Sequence, residues 1–266
     1  MKIVVFIRQI VNPQVKLQGV DYFDSSRINE DDLIINPNGK NAIEGALKLK
    51  EMLGAEVTVV CSRGLKPNKA LREAIAMGCD NAIEVADETF YTEDPLIMTK
   101  IYANILEKIS VFDLVLLGVE EQSASSYATA AMLAEKLNLP SVLYAEEIEV
   151  QEDKLRIGHV LEGGRKIVEM PMKGIISCSD SQFFIPRYTT MKGILNAKRA
   201  EIPIWNAVDI GVGASVVGEE AASLKQVSLS NIVIEKESFI IKDGDPEEKV
   251  DQLLAKLKED GIKLGA

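Results

Sequence analysis

Runs of consecutive apolar residues punctuate the first half of the chain: KIVVFI (Lys2–Ile7), EVTVVC (Glu56–Cys61), AIEV (Ala82–Val85) and DLVLLG (Asp113–Gly118). A strand with one face in water alternates apolar and polar positions. Unbroken runs instead predict strands buried on both faces, as in a parallel sheet. Between the runs the period becomes helical. Ala42, Ile43, Ala46, Leu47 and Leu53 share one side of a segment that Asn38 is expected to cap. Leu71, Ala74 and Ile75 fall together in a second segment, which stops at Gly78, a residue suited to a left-handed C′ position. A third starts at Asp94-Pro95 and carries Ile97, Met98, Ile101, Ile105, Leu106 and Ile109 at helical spacing. Alternation of this kind predicts an α/β domain with a doubly wound, mostly parallel sheet.

After Pro140 the texture changes. Successive β-type runs broken by QED and EGG predict hairpins, read as antiparallel additions to the sheet. From about Ser181 no βα unit recurs. The chain offers Pro186, Pro203, the single Trp205, a Gly/Ala/Ser stretch and one last helix. That helix should start at Asp245-Pro246, carry Val250, Leu253, Leu254 and Leu257 as its stripe, and end at Gly261. The expected division is an α/β domain over residues 1–185, then a docking segment and extended C-terminal arm over 186–266 that packs on a partner.

Composition narrows the function classes. The 266 residues carry 41 acidic and 30 basic side chains, a net charge of −11, so nucleic acid is a poor partner. Cys61, Cys79 and Cys178 show no metal or redox spacing and are expected as buried free thiols of a cytoplasmic protein. No apolar stretch approaches the ~20 residues of a membrane span. The apolar run at the N-terminus is too short for a signal peptide and lacks a cleavage site.

Familiar site motifs are missing. RQIVNP follows the first strand where a G-x-G-x-x-G fingerprint would stand, and there is no P-loop. One histidine, His159, leaves neither a metal cluster nor a supported triad and reads as structural. What remains is a set of loops at the carboxyl ends of the predicted strands, where open α/β sheets bind ligands: RQIVNP, SRGLKPN and VEEQSASSYAT, with INPNGKN leading into the first helix. Each ends near a helix N-terminus, whose free N–H groups attract anions. Ser123, Ser125, Ser126 and Thr129 add hydroxyl donors, and equally suit plain helix caps. The stretch PRYTTMKGILNAKRAEIPIW sets Met191, Ile194 and Leu195 beside Lys192, Lys198 and Arg199, either as an amphipathic helix on its own core or as an exposed docking element.

Taken together, RQIVNPQVKL, INPNGKNAIEGALKLKE, ALREAIAMGCDNAIEV, DLVLLG, AEKLNLPSV and PRYTTMKGILNAKRAEIPI resemble, in order and spacing, the β-subunit of electron-transfer flavoproteins over nearly the whole chain. The family signature around HVLEGGRKIVEMPMKGIIS is matched in part, with His159 at a usually basic position. The family's nucleotide loop commonly reads like DGDTGQVG; here residues 123–130 read SASSYATA, keeping hydroxyls and losing acids and glycines, with Tyr127 in place of a small residue.

The resemblance implies a heterodimer with an FAD-carrying α-subunit. One branch of the family binds structural AMP in the β-subunit. The electron-bifurcating branch binds a second FAD there, exchanges hydride with NAD(H), and divides electrons between ferredoxin and a partner flavin-dependent dehydrogenase. The divergent loop favours the bifurcating branch; the alternatives are the AMP-binding carrier and a nucleotide-binding scaffold without a redox role. The flavin would carry the chemistry, so no side chain is assigned as catalytic. Expected cofactor contacts are Arg8, Asn36, Ser62, Gln122, Ser123, Ser125, Ser126 and Thr129; Arg63 at a strand end is either a further contact or a solvated arginine. Partner docking falls on Arg187, Met191, Lys192, Ile194 and Leu195, with Met191 at the family's apolar anchor.

Overall fold

A computed structural model describes residues 1–12, 30–62, 69–90, 94–119, 127–224, 227–228 and 238–262. The chain divides into two units, Met1–Gln226 and Val227–Ala266.

The first unit is built on β1 (Lys2–Ile7), all of whose residues after Lys2 are buried. Ile3, Val5 and Ile7 enter one core, while Val4 and Phe6 enter a second on the opposite face. Residues of β4 (Glu56–Ser62) and β6 (Leu114–Gly118) divide in the same way: Val57, Val59, Leu114 and Leu116 join the first core, and Val60, Val115 and Leu117 the second. This division explains the unbroken apolar runs. Helices α1 (Pro37–Leu53) and α2 (Lys69–Met77) cover the first face; α3 (Pro95–Ile109) and α4 (Thr129–Leu137) cover the other.

Parallel pairing runs from β5 (Asn81–Val85) through β4 and β1 to β6, with β4 and β6 on either side of β1. The chain winds outward to β5 and then returns over α3 to β6, so the direction of winding reverses between β1 and β6. A short antiparallel ribbon of β2 (Gln9–Val11) and β3 (Leu33–Ile35) leads from β1 into α1. The expected hairpins are β7 (Ser141–Gln151), β8 (Lys154–Leu161) and β9 (Gly164–Pro171), an antiparallel meander. The strand β10 (Gly174–Cys178) then inserts parallel between β6 and β7, completing the order β11-β5-β4-β1-β6-β10-β7-β8-β9. The edge strand β11 (Ile204–Trp205) pairs parallel with β5. In β7 the register shifts between Ala145 and Glu147, beside Tyr144 at φ 53°.

Helix ends follow the sequence with one correction. Asn36, not Asn38, caps α1: its side chain accepts from the Asn38 N–H at 3.0 Å, and Pro37 opens the helix. Asn38 already lies inside the first turn. Asp94 caps α3 as expected, accepting from the Leu96 N–H at 2.7 Å. Gly78 follows α2 with φ 131°.

Residues 186–222 lie on this unit. Helix α5 (Met191–Arg199) packs on α2, and Arg72 donates to the carbonyls of Ala197 and Ala200. Gly193 permits the approach, since a Cβ there would overlap the Ala76 carbonyl oxygen. Beyond β11, Ala207, Ile210, Val212 and Val217, the last in the short helix α6 (Ala214–Val217), are buried in the second core with α3. Lys108 lies 4.6 Å from the Trp205 ring centroid, a cation–π contact. The Asp94 carboxylate also accepts from the backbone N–H groups of Ser223 and Leu224 at 2.5 and 2.9 Å.

The second unit contains α7 (Pro246–Glu259), started by a capping box between Asp245 and Glu248. Gly261 follows it at φ 76°. Among the described residues of this unit no second element covers the stripe of Val250, Leu253, Leu254 and Leu257. Among the described residues no helix is long and apolar enough to cross a membrane.

Two stability measurements follow. A Cβ at Gly118 would sit 2.6 Å from the Asn38 carbonyl carbon and Cβ and 2.7 Å from its carbonyl oxygen, none of them the far end of a flexible side chain. Gly118→Ala is expected to cost roughly 1–3 kcal/mol in urea unfolding, as overpacking does. Burial raises the Asp94 pKa, yet the N–H groups of Leu224, Leu96, Ser223 and Ile97 outweigh it and hold the value below the ordinary 3.8. A depressed carboxylate pKa stabilises the fold above the unfolded value and loses that contribution as pH falls through the folded one. Asp94→Asn should therefore cost about 1–3 kcal/mol at neutral pH, the value of hydrogen bonds to a charged group. Chemical unfolding repeated in acid should show that difference shrinking.

Candidate functional site

Where winding reverses between two parallel strands, the loops leave in opposite directions and open a crevice at the carboxyl ends. Here the crevice lies at the ends of β1 and β6 and is lined by Phe6, Ile7, Arg8, Asn36, Gly39, Leu117 and Gly118. The Asn36 N–H donates to the Arg8 carbonyl at 2.9 Å, joining the exit of β1 to the entry of α1. Arg8 and Asn36, both expected as cofactor contacts, are thus neighbours in the crevice and buried there. Gly39 and Gly118, which sequence reasoning did not select, let α1 approach the strand ends. Their signal was present as glycines in INPNGKN and at the end of DLVLLG.

The other expected contacts divide. Ser62 at the end of β4 is buried, and its hydroxyl donates to the Tyr102 hydroxyl at 3.2 Å. Tyr102 in turn stacks on Phe6 with centroids 4.0 Å apart. The Ser62 side chain is therefore engaged with α3. Thr129 opens α4 and is 2% exposed, yet among the described residues its Oγ1 has no hydrogen-bond partner. The preceding Ala128 offers no side-chain cap. Among the described residues, the start of α4 accordingly combines an N-cap residue that supplies no side-chain acceptor with a buried hydroxyl that has no partner. Arg63, Gln122, Ser123, Ser125 and Ser126 lie outside the described residues.

Among the described residues one other buried side-chain polar atom lacks a partner: Gln9 Oε1, directly after Arg8. The two orphans sit on the chain segments that leave the two strands of the reversal, Gln9 after β1 and Thr129 after β6. A buried polar group without a partner costs about 1–3 kcal/mol, so each of these positions suits a polar ligand group. Nearby, burial foremost, with the Glu84 charge adding to it, raises the Cys61 thiol to about 12 against the opposing effect of Arg8 and the Gln9 backbone. Burial likewise raises Cys79 to about 12 and Cys178 further. All three cysteines are buried and outside any disulfide, as expected from their spacing. Tyr127, just before α4, stacks on Tyr144 with centroids 6.0 Å apart.

The expected docking residues also separate. Met191 is 76% and Leu195 53% exposed, and Lys192 is exposed too. Ile194 packs partly buried against the first core. Arg187 faces α1: Nε and Nη2 reach the two carboxylate oxygens of Glu44 at 2.9 Å each, and Nη1 pairs with Glu51. Tyr188, within the same stretch, and Ile185, just before it, are exposed beside these residues and were missed. His159 is half-buried, its Nδ1 against the Leu143 carbonyl, a structural placement.

Known proteins are similar to this chain in sequence. The Electron transfer flavoprotein domain family matches residues 27–210. An electron transfer flavoprotein subunit beta of Thermoanaerobacterium thermosaccharolyticum is 31% identical over 259 residues, 97% of this chain and 98% of that protein. One from Clostridium acetobutylicum is 31% identical over 261 residues, 98% and 99% of the two chains. The caffeyl-CoA reductase-Etf complex subunit CarD of Acetobacterium woodii is 31% identical over 190 residues, 71% of this chain and 72% of its own. With a parallel sheet that reverses at an open crevice, and likeness along nearly its whole length, the chain belongs to the electron transfer flavoprotein family as a β-subunit.

Proposed function

We propose that this β-subunit holds FAD at the crevice between β1 and β6 and, with an FAD-carrying α-subunit, bifurcates electrons between NAD(H), ferredoxin and a flavin-dependent dehydrogenase. The observation that carries the nucleotide reading is the buried Thr129 hydroxyl at the start of α4, which has no hydrogen-bond partner among the described residues. Thr129 Oγ1 and the N–H groups of that first turn suit phosphate oxygens. The α1 entry at Asn36, with Arg8 beside it, adds polar groups from the other side of the crevice. Bound FAD would supply hydride and single-electron chemistry; the chain's residues hold and orient it.

Support for a dehydrogenase that acts on coenzyme A thioesters comes from the relatives' names. One belongs to a caffeyl-CoA reductase-Etf complex, and another is an acryloyl-CoA reductase electron transfer subunit gamma of Anaerotignum propionicum, 30% identical over 164 residues. Docking would use the exposed Tyr188, Met191 and Leu195, and the apolar stripe of α7 would pack on the α-subunit.

Nucleotides released from the purified heterodimer test the assignment. Two FAD and no AMP are expected per heterodimer. One FAD with one AMP would instead identify the AMP-binding carrier, and no nucleotide beyond the α-subunit's FAD would indicate a scaffold. Thr129→Val isolates the hydroxyl. Nucleotide affinity should fall roughly tenfold by calorimetry while stability of the nucleotide-free chain stays level or rises, because an unpaired buried group is removed. Unchanged affinity would exclude Thr129 from the site.

A further inference from the structure

The segment before the exposed docking residues is fixed to α1 at three points. Lys48 Nζ donates to the Phe183 carbonyl and lies 4.2 Å from that residue's ring centroid. Phe184 is fully buried over Gly45, where a Cβ would come within 2.8 Å of its ring. Arg187 closes the series: its guanidinium and its backbone N–H both engage Glu44, the latter at 3.1 Å. Immediately afterwards Tyr188 is 96% exposed, and Thr190 caps α5 by accepting from the Gly193 N–H at 3.0 Å. Only three residues therefore separate the Arg187 contact from a helix packed on α2.

We propose that Arg187 is a positioning residue: by pairing with Glu44 and Glu51 it holds residues 188–191 in the conformation that presents Tyr188 and Met191, without touching the partner itself. Glu44 is on α1 with its side chain 4% exposed, so no docking protein can reach its carboxylate. The two-point guanidinium–carboxylate geometry is directional, which a single point charge does not reproduce. The hydrogen bond from Arg187 is the largest influence holding the Glu51 carboxyl below its ordinary value, consistent with a formed contact. Removing Arg187 leaves the buried Glu44 charge without this partner, and removing Glu44 leaves Arg187 only the exposed Glu51, so loss of either should release residues 188–191.

The inference rests on the proposed docking role of residues 187–195, and its test separates the two. Tyr188→Cys and Val111→Cys, both at exposed positions, take nitroxide labels selectively when this subunit is labelled before it is combined with the α-subunit, because Cys61, Cys79 and Cys178 are buried. Pulsed electron resonance then reads the distribution of label separations. It should broaden about twofold in Arg187→Met and in Glu44→Gln, broaden no further in the double variant, and be intermediate in Arg187→Lys, as coupled residues require. An unchanged distribution in Arg187→Met and Glu44→Gln overturns the proposal, and the isosteric Glu44→Gln keeps it open to refutation if Arg187→Met folds poorly. With a purified acyl-CoA dehydrogenase as electron partner and label-free protein, both single variants should raise KM roughly tenfold, more than they lower kcat. A rise in Arg187→Met alone means that Arg187 contacts the partner and overturns the positioning role. If Met191→Ala leaves KM unchanged, the docking reading fails, while the label separations still decide what Arg187 does.

Discussion

Burial of β1 on both faces governs the larger unit. Ile3, Val5 and Ile7 can be removed from water only if α1 and α2 lie on one side, and Val4 and Phe6 only if α3 and α4 lie on the other. At about 25 cal/mol per Å² of apolar surface, neither face can be left open. A single chain satisfies both by winding outward through β4 and β5 and then crossing back to β6. That return creates the crevice, because loops at the reversal part instead of packing together. The site is thus a by-product of satisfying two cores with one central strand.

The crevice shows where local and global demands disagree. Elsewhere buried polar groups are well paired: Asp94 accepts three backbone N–H groups, and Ser62 has Tyr102. Thr129 and Gln9 break this economy on the two segments that leave the reversal. Consistency across levels is what makes a sequence foldable, so its local failure marks a place kept for something other than folding.

Much of the fold could be read from periodicity. The runs at β1, β4 and β6 and the stripe of α3 have lengths and spacings that only one kind of element satisfies. Capping was legible to within two residues: Asn36 and Asn38 are both competent caps, and Pro37 at the first helical position decides between them. Insertion of β10 between β6 and β7 was not legible, because GIISC is an ordinary buried strand and its neighbours are set by pairing across the sheet. Of the site, Arg8, Asn36 and Thr129 could be chosen as polar residues at strand and helix ends. That Ser62 turns to Tyr102 and Arg187 to Glu44 depends on contacts 40 and 143 positions apart, which no local pattern encodes.

The two-residue β11 closes the outer edge of β5. The Pro203 carbonyl accepts from the Glu84 N–H and the Trp205 carbonyl from the Ala86 N–H, both at 2.9 Å, so hydrogen-bonding groups along the outer side of β5 are already taken. A parallel sheet ending at β5 would offer those groups to any extended chain that met it. A strand of two residues introduced by proline offers very little in return, since proline has no N–H and the template ends almost at once. At the far end of the sheet β9 carries Arg165, Lys166 and Glu169, charges that discourage stacking of copies. The subunit therefore keeps both margins of a nine-stranded sheet from nucleating fibrous or edge-to-edge association.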